Sequence, residues 1–360
     1  MARFVAAFAI DPGQAAASRA RIAAFVARSP GFRLAFAEGA ATIAVEASAQ
    51  TWQDRGTVVT GALFERAPLR PTAALSPGAF AAIGGSRGAH LVRHHWGGYV
   101  ALLADPKGTT LDIIRGPLGE LPCYIADEHG TVVAASDMAA LRACGHARVI
   151  DPAALARHLL VGDLRRGETC LTGVRELAGG DRLALAATGA AIEPLWSPWS
   201  FTAPDGRTAE ERDAALRDTA RACVAARAAP FRHVVLKLSG GLDSSIVAAC
   251  LAGTGRSFSC VTLATAKRAL ANGDGSEVQL LGDARVNRPA TAKEEAVEFR
   301  GEFLHAFRNV EVVRSHLPVV MTQGTNIVRA ATMNYDNLSQ VVQFQGRASA
   351  TFAAKTRSGG

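Results

Sequence analysis

The spacing of apolar residues divides the chain into two parts of different character. Up to about residue 265, apolar runs such as 4–10 and 233–238 alternate with alanine-rich stretches such as 15–28 and 208–228. Runs of this kind predict buried strands with helices between them. After about residue 266, apolar and polar residues alternate, which is typical of half-buried antiparallel strands. The alternating segments are residues 277–281, 296–300, 310–314 and 340–345.

Residues 238–245, which read Leu-Ser-Gly-Gly-Leu-Asp-Ser-Ser, carry the clearest chemistry in the chain. They follow an apolar strand and precede an apolar helix start. Gly240 and Gly241 allow a tight turn close to a phosphate, and free N–H groups at the helix start point at it. Asp243 is the only acid in the segment, and a carboxylate beside phosphates is a natural Mg²⁺ ligand. Ordinary helix capping explains any two of these residues, but it explains the whole string poorly.

The string resembles the pyrophosphate loop of the ATP pyrophosphatase family, in the form used by asparagine synthetases. The resemblance implies that the loop holds ATP and Mg²⁺ while a carboxylate attacks the α-phosphate. An amine then captures the acyl-adenylate, which gives an amide, AMP and pyrophosphate. Residues 257–262 resemble the family's second strand, whose backbone meets the adenine. The implied binding residues are Leu238, Ser239, Gly240, Gly241, Leu242, Asp243, Ser244, Ser245 and Val261, with Asp243 also as the metal ligand.

The resemblance extends upstream to the family's N-terminal glutaminase-type domain, which has an Ntn-hydrolase-like fold. The matching segments are residues 96–105, 115–124, 133–141 and 177–183. A working domain of this type begins with Met-Cys, and the cysteine is its nucleophile. Here Ala2 stands in that place, 60–62 read Thr-Gly-Ala instead of Asn-Gly-Glu, and Gly116 replaces an aspartate. We therefore expect a structural domain that releases no ammonia from glutamine.

A synthetase with such a domain must use another amine. Relatives of this kind include β-lactam synthetases and the macrolactam synthetases that close lasso peptides, and the short alanine-rich N-terminal domain resembles the latter most. The resemblance then implies a precursor peptide as a partner. The family's later Ser-Gly-Asp-Gly motif and its catalytic acid and lysine have no counterparts that we can place. We therefore assign no catalytic residue and expect a truncated synthetase domain.

The C-terminal part resembles the β-domain of the lipopolysaccharide-export protein LptC. The residues that carry this resemblance are 273–286, 299–302 and 334–336. The family's domain lies in the periplasm behind a membrane anchor and passes lipid along an apolar groove. The resemblance implies contact with lipopolysaccharide or the export machinery through residues 267–353. Two alternatives to the ligase therefore stay open: a lipid-binding β-module, and a non-functional fusion of two gene fragments.

Together these features predict a chain of α+β and α/β class. We expect an Ntn-hydrolase-like domain, a partial pyrophosphate-loop unit resembling adenine nucleotide α-hydrolases, and an antiparallel β jelly-roll-like domain. The expected boundaries are 1–200, 207–266 and 267–353, followed by a disordered tail at 354–360.

Composition narrows the classes of partner and compartment. Lys and Arg exceed Asp and Glu by 39 to 32, but the charges are dispersed and no basic run interleaves with aromatic residues, which argues against nucleic-acid binding. The six cysteines lack metal-binding or redox spacing, so we expect most of them to be small core residues. No secretory signal or apolar run of membrane-spanning length is evident. We therefore expect a cytoplasmic location, although the C-terminal domain's relatives are periplasmic.

Overall fold

The computed structural model contains two compact units, Met1–Arg227 and Ala228–Gly360. The described residues are 2–128, 130–147, 149–162, 167–203, 205–237, 242–261, 267–271, 277–288, 295–307, 310–336, 339 and 341–352. The expected tail, 354–360, lies outside them.

The first unit is built on two antiparallel sheets. One sheet has the spatial order β13 (Val174–Glu176), β11 (Tyr124–Glu128), β12 (Thr131–Ala135), β1 (Phe4–Ala9), β3 (Ala41–Glu46) and β2 (Phe32–Glu38). The other has the order β15 (Gly189–Pro194), β14 (Asp181–Ala186), β10 (Thr110–Arg115), β9 (Tyr99–Ala104), β5 (Thr57–Gly61) and β4 (Thr51–Asp54). A small sheet joins β7 (Leu69–Pro71), β6 (Phe64–Arg66) and β8 (His95–Trp96). The helices are α1 (Ala15–Arg28), α2 (Pro77–Gly85), α3 (Ala89–His94), α4 (Met138–Ala143), α5 (Pro152–Val161) and α6 (Ala209–Ala228).

The apolar runs arise because strands of both sheets are buried on two sides. Phe4 and Phe8 of β1 pack with Leu102 of β9 between the sheets. The alternate residues of β1 face the other way, where Ala7 packs with Phe25 of α1. The second sheet is covered on its outer side by α2 and α3 in the same manner. This layering confirms the expected mixed α/β character of this part of the chain.

Arg115, at the end of β10, is a buried cation that ties together two segments distant in sequence. Its side chain is 9% exposed, and its Nη1 donates to Glu176 Oε1 at 2.9 Å and to the Leu177 carbonyl at 2.6 Å. Its Nε donates to the Leu121 carbonyl at 2.8 Å, and its Nη2 donates to the Gly119 carbonyl. The guanidinium thus satisfies acceptors that are buried or half-buried.

The second unit begins with a β-α-β segment. Strands β16 (His233–Lys237) and β17 (Ser257–Val261) are parallel, and α7 (Leu242–Ala252) lies between them in sequence. The helix begins at Leu242, four residues before the apolar stretch that starts at Ile246. Its first turn contains Asp243 and the two serines that follow it.

An antiparallel β-domain follows. Its sheet has the order β18 (Arg268–Ala271), β19 (Glu277–Arg288), β20 (Val297–Phe307), β21 (Val312–Ser315), β23 (Asn326–Asp336) and β22 (Val319–Gln323); β24 (Val341–Thr351) pairs with β23, and β20 also pairs with β22. Leu304, Phe299 and Met333 lie in its apolar core. The predicted C-terminal antiparallel sheet is confirmed, while the jelly-roll description stays a prediction.

Replacing Arg115 by Met should destabilise the first unit by about 3–5 kcal/mol, because it leaves Glu176 and the carbonyl acceptors without their donor. Arg157, whose ion pair with Glu168 is exposed, provides the matched control. Arg157→Met should cost less than about 1 kcal/mol. The four tryptophans, at 52, 96, 196 and 199, all lie in the first unit, so urea unfolding followed by tryptophan emission measures that unit alone. Equal losses for the two variants would contradict the role of Arg115.

Candidate functional site

The parallel pairing of β16 and β17 aligns the carboxyl ends of the two strands, near which the predicted nucleotide-binding residues lie in sequence. Lys237, the last residue of β16, is in register with Val261, the last residue of β17. Leu242–Ser245 form the start of α7, which follows the carboxyl end of β16. In parallel sheets, ligands bind beyond the carboxyl ends of the strands.

The individual predicted residues differ in what the structure shows of them. Leu238, Ser239, Gly240 and Gly241 lie outside the described residues. Leu242 and Asp243 are exposed at the start of α7, and Ser244 and Ser245 are half-buried there. Val261 is the last residue of β17, and its side chain is not among the described parts of the structure. An exposed carboxylate next to hydroxyl groups at a helix start suits a hydrated Mg²⁺ ion bound to phosphates.

At the amino-terminal end of the strand pair, a histidine of β16 contacts two serines of β17. The sequence did not indicate this contact. His233 Nδ1 lies 2.8 Å from Ser257 Oγ, and its Nε2 lies 3.0 Å from Ser259 Oγ. The two serines alternate along β17 and therefore lie on the same face. Because the contact depends on strand register, no local sequence signal could have revealed it.

The β-α-β segment leaves much of its apolar surface exposed. Val235 is 65% exposed and Leu242 is 76% exposed, whereas Leu251 is buried. Within the described residues, β16 and β17 pair only with each other. A segment of this kind in a complete α/β domain would be covered by further strands and helices. Within the described residues, this segment therefore has exposed strand edges and exposed apolar side chains.

Two of the departures from the glutaminase pattern, at 60–62 and at Gly116, lie close together in the first unit. The N–H of Ala62 donates to the Gly98 carbonyl at 2.9 Å, and the N–H of Gly116 donates to the Tyr99 carbonyl at 2.9 Å. Gly61 is in register with Tyr99. A Cβ on Gly61 would lie 2.3 Å from the Gly98 carbonyl oxygen, so the backbones approach too closely for any side chain. Ala62 and Gly116 thus bring no polar side chain to this place.

An ion pair packed on aromatic rings lies beside these residues. Arg227, near the end of α6, donates to both carboxylate oxygens of Glu120. Its guanidinium carbon lies 5.2 Å from the centre of the Trp96 ring, which stacks on Phe64 at 4.5 Å. Gly98 is required here too, because a Cβ would lie 2.7 Å from Glu120 Oε2. Sequence reasoning missed this contact, whose ionic partners are 107 positions apart.

The buried cysteines cannot replace the absent nucleophile. Burial raises the pKa of the Cys123 thiol to about 12 and that of Cys144 to about 11. Their thiolate fractions at neutral pH are therefore very small, and the thiolate is the nucleophilic form. We expected most of the six cysteines to be core residues, but only Cys123 and Cys144 are buried, and Cys260, on β17, is exposed. Among the described residues, no cluster of three or more His, Cys, Asp or Glu side chains could hold a metal ion by itself.

Comparison with protein families gives three matches. Residues 80–196 match the glutamine amidotransferase domain, residues 215–285 match asparagine synthase, and residues 260–353 match the lipopolysaccharide-assembly, LptC-related family. The chain resembles the asparagine synthetase superfamily in its earlier part and the LptC-related family in its last part, as its sequence indicated. The first two matches support an amidotransferase or ligase type of family. No curated protein matches the chain.

Solved structures also resemble the chain. One is glutamine phosphoribosylpyrophosphate amidotransferase from B. subtilis complexed with ADP and GMP, at 12% identity and a TM-score of 0.34. The match covers 72% of this chain and 65% of that one, so this chain spans less than two thirds of it. Another is described as the allosteric regulatory enzyme of purine biosynthesis, at 12% identity and a TM-score of 0.34, covering 76% of this chain and 67% of that one.

Among the described residues, no helix has the length and hydropathy needed to span a membrane.

Burial should protect Cys123 from alkylation in the folded protein. With N-ethylmaleimide at pH 8, we expect modification of the exposed Cys260 within minutes, and of Cys123 and Cys144 only after unfolding in urea. Mass spectrometry of tryptic peptides measures the modified fraction at each site. Labelling of Cys123 in the folded protein as fast as Cys260 would show that its thiol is accessible.

Proposed function

We propose that this chain is an asparagine synthase-related, ATP-dependent ligase-type protein whose residues 238–245 bind ATP and Mg²⁺. One observation supports the proposal: within the residues that match asparagine synthase, β16 and β17 are parallel, and Asp243 and two serines lie in the first turn of the helix that follows β16 in sequence. The helix N-terminus and hydroxyl groups would bind the phosphates, while Asp243 would bind Mg²⁺. Bound Mg²⁺ would neutralise phosphate charge as a carboxylate attacks the α-phosphate.

We infer that the amine captured by the acyl-adenylate does not come from glutamine. Support comes from the first unit, where Ala2, Ala62 and Gly116 carry no reactive or polar group. The buried Cys123 cannot act in their place. Among related synthetases, the lasso-peptide macrolactam synthetases fit best, and the partner would then be a precursor peptide bearing both the carboxylate and the amine. An ATP-consuming reaction of this type would take place in the cytoplasm.

We propose further that the synthetase domain is incomplete in this chain, with boundaries near 207 and 266, between an inactive domain at 1–200 and a β-domain at 267–353. The exposed apolar side chains of β16 and α7 support this division. The match to the LptC-related family favours a second candidate, a lipid-binding β-module that contacts lipopolysaccharide. A fusion of two fragments without function is the remaining alternative.

The proposal predicts Mg²⁺-dependent ATP binding that requires Asp243. Asp243→Ala should weaken binding at least about tenfold in the presence of Mg²⁺, because it removes the proposed metal ligand. In EDTA the two proteins should differ little. Equilibrium dialysis of the full chain with radiolabelled ATP measures this. Asp218→Ala, which removes an exposed acid on α6, is the matched control and should bind as the unmodified chain does. Absence of ATP binding by the unmodified chain would refute the proposal.

Glutamine should not be a source of ammonia for this protein. We expect no ammonia release above the buffer blank when the chain is incubated with glutamine, with or without ATP, because Ala2 stands where a working domain has its cysteine nucleophile. A coupled glutamate dehydrogenase assay detects the release. Ammonia production that persists after further purification would overturn the inference drawn from Ala2 and Cys123.

A further inference from the structure

A row of polar side chains crosses the outer face of the β-domain. Consecutive members are in cross-strand register, in the order Gln279, His305, Arg314, Asn334 and Gln343. Their chain neighbours Leu280, Leu304 and Met333 are buried in the core. Because successive residues of a strand point to opposite faces, the row lies on the face away from the core. With neighbouring strands about 4.8 Å apart, it is about 19 Å long.

Aromatic rings lie along one strand of the same face. Phe303, His305 and Phe307 alternate along β20, and the His305 and Phe307 ring centres are 4.0 Å apart. His316 lies beside Phe303, with 4.3 Å between ring centres. The guanidinium carbon of Arg314 is 5.0 Å from the centre of the Phe307 ring. A merely solvated sheet face explains the polar row, but it does not explain half-buried phenylalanines among polar residues.

The row and the rings line a cavity of about 570 Å³, whose further lining includes Thr332 and Gln345. We call it the outer-face cavity. Its size lies in the range of small-molecule sites. Its apolar and hydrogen-bonding groups are also separated: the rings follow β20, whereas the amides lie on β19, β23 and β24.

The charges around the outer-face cavity are mixed. Arg314 is its permanent cation, and its Nε donates to Asn334 Oδ1 at 3.1 Å. His305 Nε2 lies 3.2 Å from Glu277 Oε2. Asp336 lies one row further along the same face, in register with Val312. A site for nucleic acid or another polyanion would carry an excess of cations, whereas Arg314 is the only Lys or Arg among the described residues that line the cavity.

We propose that the outer-face cavity binds a saccharide chain. Primary amides donate and accept side by side, which suits neighbouring hydroxyl groups that also do both. The C–H faces of a sugar ring are apolar and pack on aromatic rings. The polar row crosses the rings of β20 at His305, so amide groups lie on both sides of the rings, which suits an uncharged chain of polar rings with apolar faces. The site is separate from the β-α-β segment, so the proposal does not depend on nucleotide binding.

Binding of the full chain to an array of immobilised neutral and acidic oligosaccharides tests the proposal. The strongest soluble hit is then measured by isothermal titration calorimetry against Phe307→Ala and Gln343→Ala. Each variant should weaken binding at least about tenfold, through loss of ring packing or of an amide. The matched controls are Phe352→Ala and Gln323→Ala, which remove the same groups outside the cavity and should leave the affinity unchanged. Circular dichroism checks that all four variants remain folded.

Three results would overturn the proposal. One is that the folded chain retains no oligosaccharide on the array. Another is that the hit binds the cavity variants and the control variants equally well. The third is that single-stranded dT12 binds and is lost in Phe307→Ala, while no saccharide binds, which would assign the face to nucleic acid.

Discussion

The first unit depends on burying both sides of its two sheets at once. β1 shows the constraint most directly, because Phe4 and Phe8 face the second sheet while Ala7 faces α1. Every polar backbone group in these layers must be paired internally, since water is excluded. The buried Arg115 extends the same requirement to the turn after β10, where carbonyl groups lack strand partners. A scaffold that satisfies these demands does not depend on catalytic groups for its stability.

In the second unit, the β-domain and the β-α-β segment differ in how much of their surface they bury. The β-domain buries one face of its sheet and leaves the other polar, and this leaves room for a row such as that from Gln279 to Gln343. The β-α-β segment buries little on either side, as the exposure of Val235 and Leu242 shows. Its predicted phosphate-binding groups therefore lie on a segment with few apolar contacts of its own.

Many of the strands and helices could be predicted from the local pattern of apolar and polar residues. The apolar residues 4–10 predicted β1, and the alanine-rich stretch 15–28 predicted α1. The alternation of apolar and polar residues after 266 predicted the C-terminal sheet. The distant partners of Arg115 and Glu120 could not be predicted, because they depend on how remote segments pack, and the polar row could not be predicted, because it depends on strand register. A bulge between Leu281 and Ala284 shifts that register within β19, with Asp283 at φ 41°. For the same reason, the proximity of Ala62 and Gly116 could be recognised only from the structure.

The sparse packing of the β-α-β segment has a consequence for its motion. Elements with few buried contacts open locally at a small free-energy cost, so the amides of β16 and α7 should exchange with deuterium sooner than those of β1. A ligand that binds only the ordered segment shifts this equilibrium by mass action. At a hundred times its Kd it adds about 2.7 kcal/mol to the ordered form. A nucleotide held beyond Lys237 and Val261 would therefore be a structural component of the segment as well as a reactant.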